Sequence, residues 1–420
     1  MTTTPAHEIG PTSPGTLPDA SPGVSPGAPP PPERLWRLFV RFLRFGFLAW
    51  GGPVAQIAMI REELVERERW ISREKFNRVL GVYQVLPGPE ATELAVYFGM
   101  QARGRVGGLL AGLGFVLPGF LLMFALTWVY FTVGLGSALA VAAFKGVQPA
   151  VTALIVRAVH RIGAHALHDA WLSAAAVVAA MAQLAGIHFA ITLGLTALAA
   201  VCSGARCAPL AIVPLAALLA IAILAGGGAA PLIPETPVAG SGQGAAPLET
   251  LVSGLRAGLL TFGGAYTVIP FLYEDAVVQG SWLSREQFLD GIALSGMLPA
   301  PLVIFSTFVG FAAAGALGSL LMTLGVFVPA FAFTLIGHGL IERAVGYGPL
   351  HRLLDGITAG VVGIIGATAI ELVPATVTDR ATAAIFAGAI LALYRFKARW
   401  ITPAVILGAG VVGGLALRPG

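Results

Sequence analysis

Four short sequences in this chain interrupt the helices that contain them: Gly51-Gly52-Pro53, Pro87-Gly88-Pro89, Gly263-Gly264 and Pro299-Ala300-Pro301. Each lies in an apolar stretch. Irregular backbone at membrane depth is tolerated only where it is buried in protein or lines a water-filled cavity. A helix that restarts after such a break aims free N–H groups, and the positive end of its dipole, at that cavity. This chemistry suits an anion. The competing reading is that Gly and Pro merely allow kinks or close helix packing. Four breaks in matched pairs favour the site. The candidate substrate-binding residues are therefore Gly51, Gly52, Pro53, Pro87, Gly88, Pro89, Gly263, Gly264, Pro299 and Pro301. Gln56, Tyr266 and Thr267 lie just beyond the glycine breaks and add donors. These three serve equally well as ordinary interhelical hydrogen bonders, and for Ser295, Ser306 and Thr307, which flank the second Pro-x-Pro, that ordinary role is the favoured reading.

Three charged residues are candidates for coupling: Glu90, Glu93 and Lys145. Glu90 and Glu93 follow the first Pro-x-Pro. There they either stabilise the restarting helix N-terminus or carry protons. Lys145 stands alone in an apolar run, with snorkelling at a helix end as its alternative role. No carboxylate occupies the aligned Pro301-Leu302, so the two copies of the motif are not equivalent. No G-x-x-x-x-G-K-[ST] sequence provides for ATP. No metal or nucleophile constellation supports an enzyme, and no cofactor or metal is expected. Cys202 and Cys207 form only a C-x4-C pair, read as reduced structural thiols.

The breaks recur because the chain repeats itself. Trp70-Ile71-Ser72-Arg73-Glu74-Lys75-Phe76 returns as Trp282-Leu283-Ser284-Arg285-Glu286-Gln287-Phe288, an offset of 212. Gly51, Gly52, Pro87 and Pro89 meet Gly263, Gly264, Pro299 and Pro301 at the same offset, and Pro118 meets Pro329 at 211. Two homologous halves with the substrate held between them are a transporter design.

Composition agrees. The 420 residues are 56% hydrophobic and 11% charged, against about 25% charged in a soluble domain. Mean hydropathy is +0.83. Apolar runs at 109–133, 171–187, 210–225, 317–336 and 381–393 approach or reach bilayer length. The expected fold class is an all-α polytopic membrane protein with broken or re-entrant helices; a β-barrel would alternate in short segments. The net charge of +4 sits beside apolar segments and signals membrane topology, not nucleic acid. Residues 1–33 are Pro/Gly/Ser-rich and expected to be disordered. The first repeat spans 34–225, a linker 226–248, and the second repeat 249–417.

Basic clusters at 34–44, 61–78, 103–105, 157–161, 343–352 and 395–399 all favour the cytoplasm. They stay there if the segments around Gly51-Gly52-Pro53 and Pro87-Gly88-Pro89 enter and return as hairpins. Crossings at 107–133, 138–160, 170–187, 188–203 and 208–226 then put the linker outside, and the second half starts from the opposite face. The counterpart of the basic loop 61–78 should lose its positive charge, and 273–287 keeps only Arg285. Four crossings follow the linker, at 318–341, 353–373, 381–394 and 401–417. The halves are thus an inverted repeat. Residues 61–78 read as an interfacial helix. Trp70 and Trp282 read as interface anchors, and Ser72 and Ser284 as helix N-caps.

Phe47-x-x-Trp50-Gly51-Gly52-Pro53-x-Ala55-Gln56-Ile57, Trp70-Ile71-Ser72 and Gln84-Val85-Leu86-Pro87-Gly88-Pro89 resemble the chromate ion transporter family. Thr261-Phe262-Gly263-Gly264-Ala265-Tyr266 and Pro299-Ala300-Pro301 look like its second-half motifs. The resemblance covers 35–417 and matches the long, two-domain form. Ala265 departs from the family, whose members often carry Pro or a bulkier polar set there. The resemblance implies a bacterial inner-membrane protein that exports chromate, with sulfate as a related anion, using the proton gradient. Its partners are then the oxyanion, protons and the lipid bilayer, with room for a homodimer. An uncoupled anion channel remains the alternative.

Overall fold

The computed structural model of the protein describes residues 33–84, 86–134, 137–203, 208–226, 245–262, 264–344, 348–396, 398 and 400–417. The tail 1–32, most of the 226–248 linker, Gly263 and Cys207 lie outside these residues. Among the described residues the structure is all-α. The first half contains α1 (Leu35–Leu48), α2 (Gly52–Ile60), α3 (Arg73–Tyr83), α4 (Glu90–Val133), α5 (Ala138–Ala166), α6 (Ala170–Leu184), α7 (Phe189–Ser203) and α8 (Ile212–Gly226). The second repeats the first seven as α9 (Pro247–Leu259), α10 (Val268–Tyr273), α11 (Arg285–Gly296), α12 (Ser306–Ala344), α13 (Gly348–Thr376), α14 (Arg380–Arg395) and α15 (Ile401–Ala416). Only α8 has no counterpart among the described helices. Four segments are long and apolar enough to cross a membrane, two from each half: Glu90–Val133, Ala138–Ala166, Leu302–Gly337 and His351–Thr376.

Helix α4 has 44 residues. A straight rod of that length would run about 66 Å, twice the roughly 30 Å hydrocarbon core. It folds back instead. Arg103 (φ −146°, ψ 32°) and Gly104 (φ 61°, ψ −158°) leave the helical region, and Ala314 (φ −149°, ψ 33°) and Gly315 (φ 60°, ψ −148°) do the same in α12. The Gly104 and Gly315 angles suit glycine alone. Beyond the turn the two arms of α4 touch: a Cβ on Gly99 would strike the Gly107 carbonyl oxygen, and one on Gly310 the Gly318 carbonyl. In a straight helix those residues would be about 12 Å apart. The first arm of α4 with α3, and its equivalent in the second half, therefore make re-entrant hairpins around the Pro-x-Pro breaks.

The halves exchange partners. Helix α1 packs on α4 and α9 on α12, each within its own half. Further along, α6 and α7 of the first half pack on α13 of the second, while α14 and α15 of the second pack on α5 of the first. Gly146 of α5 lies against the backbone at Ala409 and Gly413, and Gly356 of α13 against Thr196 and Ala197. These reciprocal contacts express a pseudo-twofold axis, and the fold is two homologous halves in inverted topology. The largest core cluster draws on both halves, from Val116 and Val151 to Phe305 and Ile365.

The Ser caps form as the sequence indicates. Ser72 accepts from the Lys75 N–H (3.2 Å). Ser284 and Gln287 close a reciprocal capping box at 3.2 and 2.9 Å. The stretch 61–78 is not one interfacial helix. A wide helical stretch, Arg61–Arg67, ends in left-handed Arg69 (φ 54°), and α3 starts afresh at Arg73. Ser281 (φ 49°) repeats that device after Glu274–Gln279. Trp70 is not an exposed anchor: it is buried, donates to Glu68 (2.8 Å) and lies beneath Arg41.

Gly99→Val and Gly310→Val should each lower the melting temperature of the purified protein, since overpacking a close backbone contact costs about 1–3 kcal/mol or more. Gly388→Ala, mid-helix in α14 where the added methyl meets open space, should not lower it and should raise it slightly, through up to about 1 kcal/mol of helix propensity. Thermal unfolding followed by size-exclusion chromatography checks this.

Candidate functional site

Helix α1 stops at Leu48, and α2 restarts with Gly51 and Gly52 at φ 96° and 76° and Pro53 in the first turn. Positive φ is cheap only for glycine, and Pro at a helix start forfeits an N–H that has no intrahelical partner. Gln56 folds back and donates to the Ala49 carbonyl (3.0 Å), pinning the unwound segment. In the second half Gly264 (φ 122°) precedes α10, and the Thr267 hydroxyl donates to its carbonyl (2.7 Å).

The Pro-x-Pro breaks reach across the molecule. The N–H of Gly88 (φ 145°) donates to the Thr261 carbonyl of the second half (2.8 Å). Gly88 also packs so closely on Ala330 of α12 that an added Cβ would sit 2.9 Å from its methyl. Reciprocally, Ala300 packs on Gly119 of α4, whose added Cβ would lie 2.6 Å from the Ala300 methyl. Pro87 and Pro89, like Pro299 and Pro301, frame these contacts.

Between the breaks lies a cavity of about 730 Å³. Gly51, Gly52 and Pro53 line one wall, Gly264 and Tyr266 another, and Gln84 and Glu90 also contribute. Arg157 and Arg161 enter from α5, one turn apart and so on one face. Arg161 is within electrostatic reach of both Glu90 and Tyr266, and Arg157 of Tyr266. Among the described residues neither arginine is held in a salt bridge. The rim carries His351 and Asp355 from the start of α13. Trp50 and Trp400, one from each half, lie with ring centroids 4.6 Å apart.

The sequence candidates therefore divide. Gly51, Gly52, Pro53, Gly264, Tyr266 and Glu90 face the cavity. Pro87, Gly88, Pro89, Pro299 and Pro301 are buried and do not line it. Gln56 and Thr267, 1% and 0% exposed, turn away from the cavity toward backbone carbonyls. Gly263 lies outside the described residues. Glu93 is fully buried one helical turn beyond Glu90, against Gly88, and neither carboxylate oxygen has a hydrogen-bond partner. Lys145 does not reach the cavity. It is exposed near the start of α5, within electrostatic reach of Asp379, the N-cap of α14, whereas the cavity adjoins the helix's other end. Arg157 and Arg161 were absent from the sequence candidates because their position at a helix end is also what membrane topology requires. Their spacing of four, which puts both on one face of a predominantly apolar helix, was the available signal.

Broken helices from two inverted halves, enclosing a basic cavity, define a multi-pass membrane transport protein. The chain belongs to the chromate transporter family, whose model matches residues 36–226 and 248–414. It is 52% identical over 396 residues to the chromate transport protein of Pseudomonas aeruginosa, covering 92% of this chain and 94% of the relative. To the chromate transport protein of Cupriavidus metallidurans it is 30% identical over 402 residues, covering 92% and 94%. A probable chromate transport protein of Synechococcus elongatus is 28% identical over 390 residues, covering 91% and 96%. No solved structure matches the chain.

With Cys202 and Cys207 replaced by Ser, Ala58→Cys on the cavity wall should react rapidly with a water-soluble maleimide. Thr267→Cys should resist it under native conditions. Equal labelling of the two would remove the cavity as drawn.

Proposed function

We propose that the protein is a secondary active transporter that exports chromate, or a related oxyanion such as sulfate, across the bacterial inner membrane, driven by the proton gradient. The observation that carries this reading is the pair Arg157 and Arg161, without salt-bridge partners among the described residues and lining one cavity with the helix breaks. Two guanidiniums match a tetrahedral dianion in charge and offer it paired N–H donors. The α2 N-terminus, freed by Gly51 and Gly52, adds backbone donors and the positive end of a helix dipole. The names of the relatives supply the substrate.

Direction follows from charge. The mouth gathers the end of α5, the start of α13 and the turn before α15, which are basic regions that the positive-inside rule assigns to the cytoplasm. The cavity then receives its anion from inside. A membrane potential negative inside favours export by about 2.3 kcal/mol per charge per 100 mV, doubled for a dianion.

Proton coupling begins at Glu90. Its carboxylate shares Arg161 with the anion, so site occupancy and Glu90 protonation are linked. Glu93, one turn behind and without a hydrogen-bond partner, extends the path inward. Lys145 takes no part in it.

Arg157→Ala and Arg161→Ala should each weaken oxyanion binding about 10- to 100-fold, as expected for losing a charged hydrogen bond of 1.5–3 kcal/mol. Lys at either position should restore little, because it lacks the fork. Glu90→Gln removes the competing negative charge. It should tighten binding a few-fold, about 1 kcal/mol or less for a partly exposed pair, and flatten its pH dependence. Calorimetry with chromate and sulfate measures both effects. In everted vesicles with the membrane potential clamped at zero, collapsing the pH gradient should abolish concentrative chromate uptake; uptake that follows the potential and ignores the pH gradient would leave an uncoupled channel, which would also lack counterflow.

A further inference from the structure

Far from the cavity mouth, Asp290 of α11 is 2% exposed and meets helices of the other half. The Tyr130 hydroxyl of α4 donates to its Oδ2 (2.8 Å), and the Gln148 amide of α5 lies 3.3 Å from its Oδ1. No lysine or arginine pairs with it among the described residues. Glu286, one turn back on α11 itself, is within electrostatic reach; Lys145, one turn before Gln148 on α5, is exposed and within reach of Asp379, and Glu274 lies on the stretch packed against α11. Helix α15, the turn Leu302–Phe305 and α12 through Gly337 carry no ionisable side chain. Asp275, by contrast, is locked by Arg256 and by the Ser253 hydroxyl (2.5 Å). A carboxylate clamped by a cation is a fixed charge.

Asp290 is held by groups that work in both directions. A tyrosine hydroxyl and a glutamine amide each donate to a carboxylate and, once reoriented, accept from a carboxylic acid. Either protonation state is satisfied without a counter-ion. One turn further along α5, Thr152 donates to the backbone carbonyl of Gln148 (3.1 Å) and lies 3.1 Å from the Thr376 hydroxyl of α13, tying this part of α5 to the second half. Gln148 precedes Arg157 by nine residues on α5, about 13 Å along the axis. Asp290 also lies six residues after the N-cap Ser284, about 9 Å into α11 from the end opposite the cavity mouth.

We propose that Asp290, with Tyr130 and Gln148, is a proton-binding site on the outer side of the transporter, separate from the oxyanion cavity. A hydronium ion from the outer solution gives its proton to a carboxylate oxygen and leaves as water. The reverse transfer releases the proton when the cluster opens inward. This inference rests on the proton-coupled reading given above.

The test uses the full chain in liposomes carrying a pH-sensitive dye. Wild-type protein should move protons when chromate is added; silence there refutes proton coupling itself. Given that flux, Asp290→Asn should still exchange chromate for chromate at equal pH, while protons moved per oxyanion fall at least fivefold and Asp290→Glu recovers them. Wild-type proton flux in Asp290→Asn, or loss of exchange along with flux in both variants, overturns the proposal. Should Asp290→Asn fail to fold, Tyr130→Phe keeps the carboxyl and removes one donor. It should shift the pH of half-maximal proton flux, and an unshifted profile counts equally against the proposal.

Discussion

The hydrogen bond from the Gly88 N–H to the Thr261 carbonyl sets the terms for the rest of the molecule. Backbone that leaves the helix in apolar surroundings must find a partner, since an unmet N–H there costs several kcal/mol. Here the partner belongs to the other repeat. The Pro-x-Pro segment of each half is seated on the proline-bearing helix of the other, Gly88 on Ala330 and Ala300 on Gly119. The first half cannot complete its own break, whereas the Ala300 N–H of the second finds the Leu298 carbonyl of its own segment (2.9 Å); one hydrogen bond and two reciprocal seatings bring the breaks together. The cavity between them is then a consequence of satisfying the backbone and needs no separate explanation.

On this symmetric scaffold the chemistry is asymmetric. The equivalents of Arg161 and Lys145 are Glu371 and Asp355, those of Glu90 and Glu93 are Leu302 and Phe305, and that of Asp290 is Arg78. Backbone devices are duplicated almost angle for angle, as Gly104 and Gly315 show, while the ionisable residues have been reassigned. One pole of the pseudo-twofold is left basic and open, the other acidic and packed. Duplicated backbone supplies two matched conformations; point differences in charge decide what each pole binds.

That division also explains what could be read from sequence. Breaks, caps and the repeat itself are local or periodic, so Gly51-Gly52-Pro53, Ser284 and the 212-residue offset were legible. Even the hairpins followed from charge. Side-chain direction was not legible. Gln56 and Thr267 flank the breaks as well as Tyr266 does, yet one helical step turns them to backbone carbonyls. Lys145 is solitary in sequence and so drew notice, but lies at the wrong end of α5. Arg157 and Arg161 serve topology and cavity together, and the first role masked the second. The seating of α6 and α7 on α13 is a contact across nearly 200 residues that no local pattern encodes.

Helix α8 shows how topology enters the energetics. It packs chiefly on α6 and α7, with Leu218 buried against Ala182, and contributes nothing to the cavity wall. In the topology expected from the charge pattern, the long arm of α4 with α5, α6 and α7 makes an even number of crossings, which alone would start the second copy on the same face as the first. The unpaired α8 makes the number odd. Only then does the second copy enter upside down and face the first across a pseudo-twofold axis in the membrane plane. A helix with no residue in the site is what lets the two sets of breaks share one cavity.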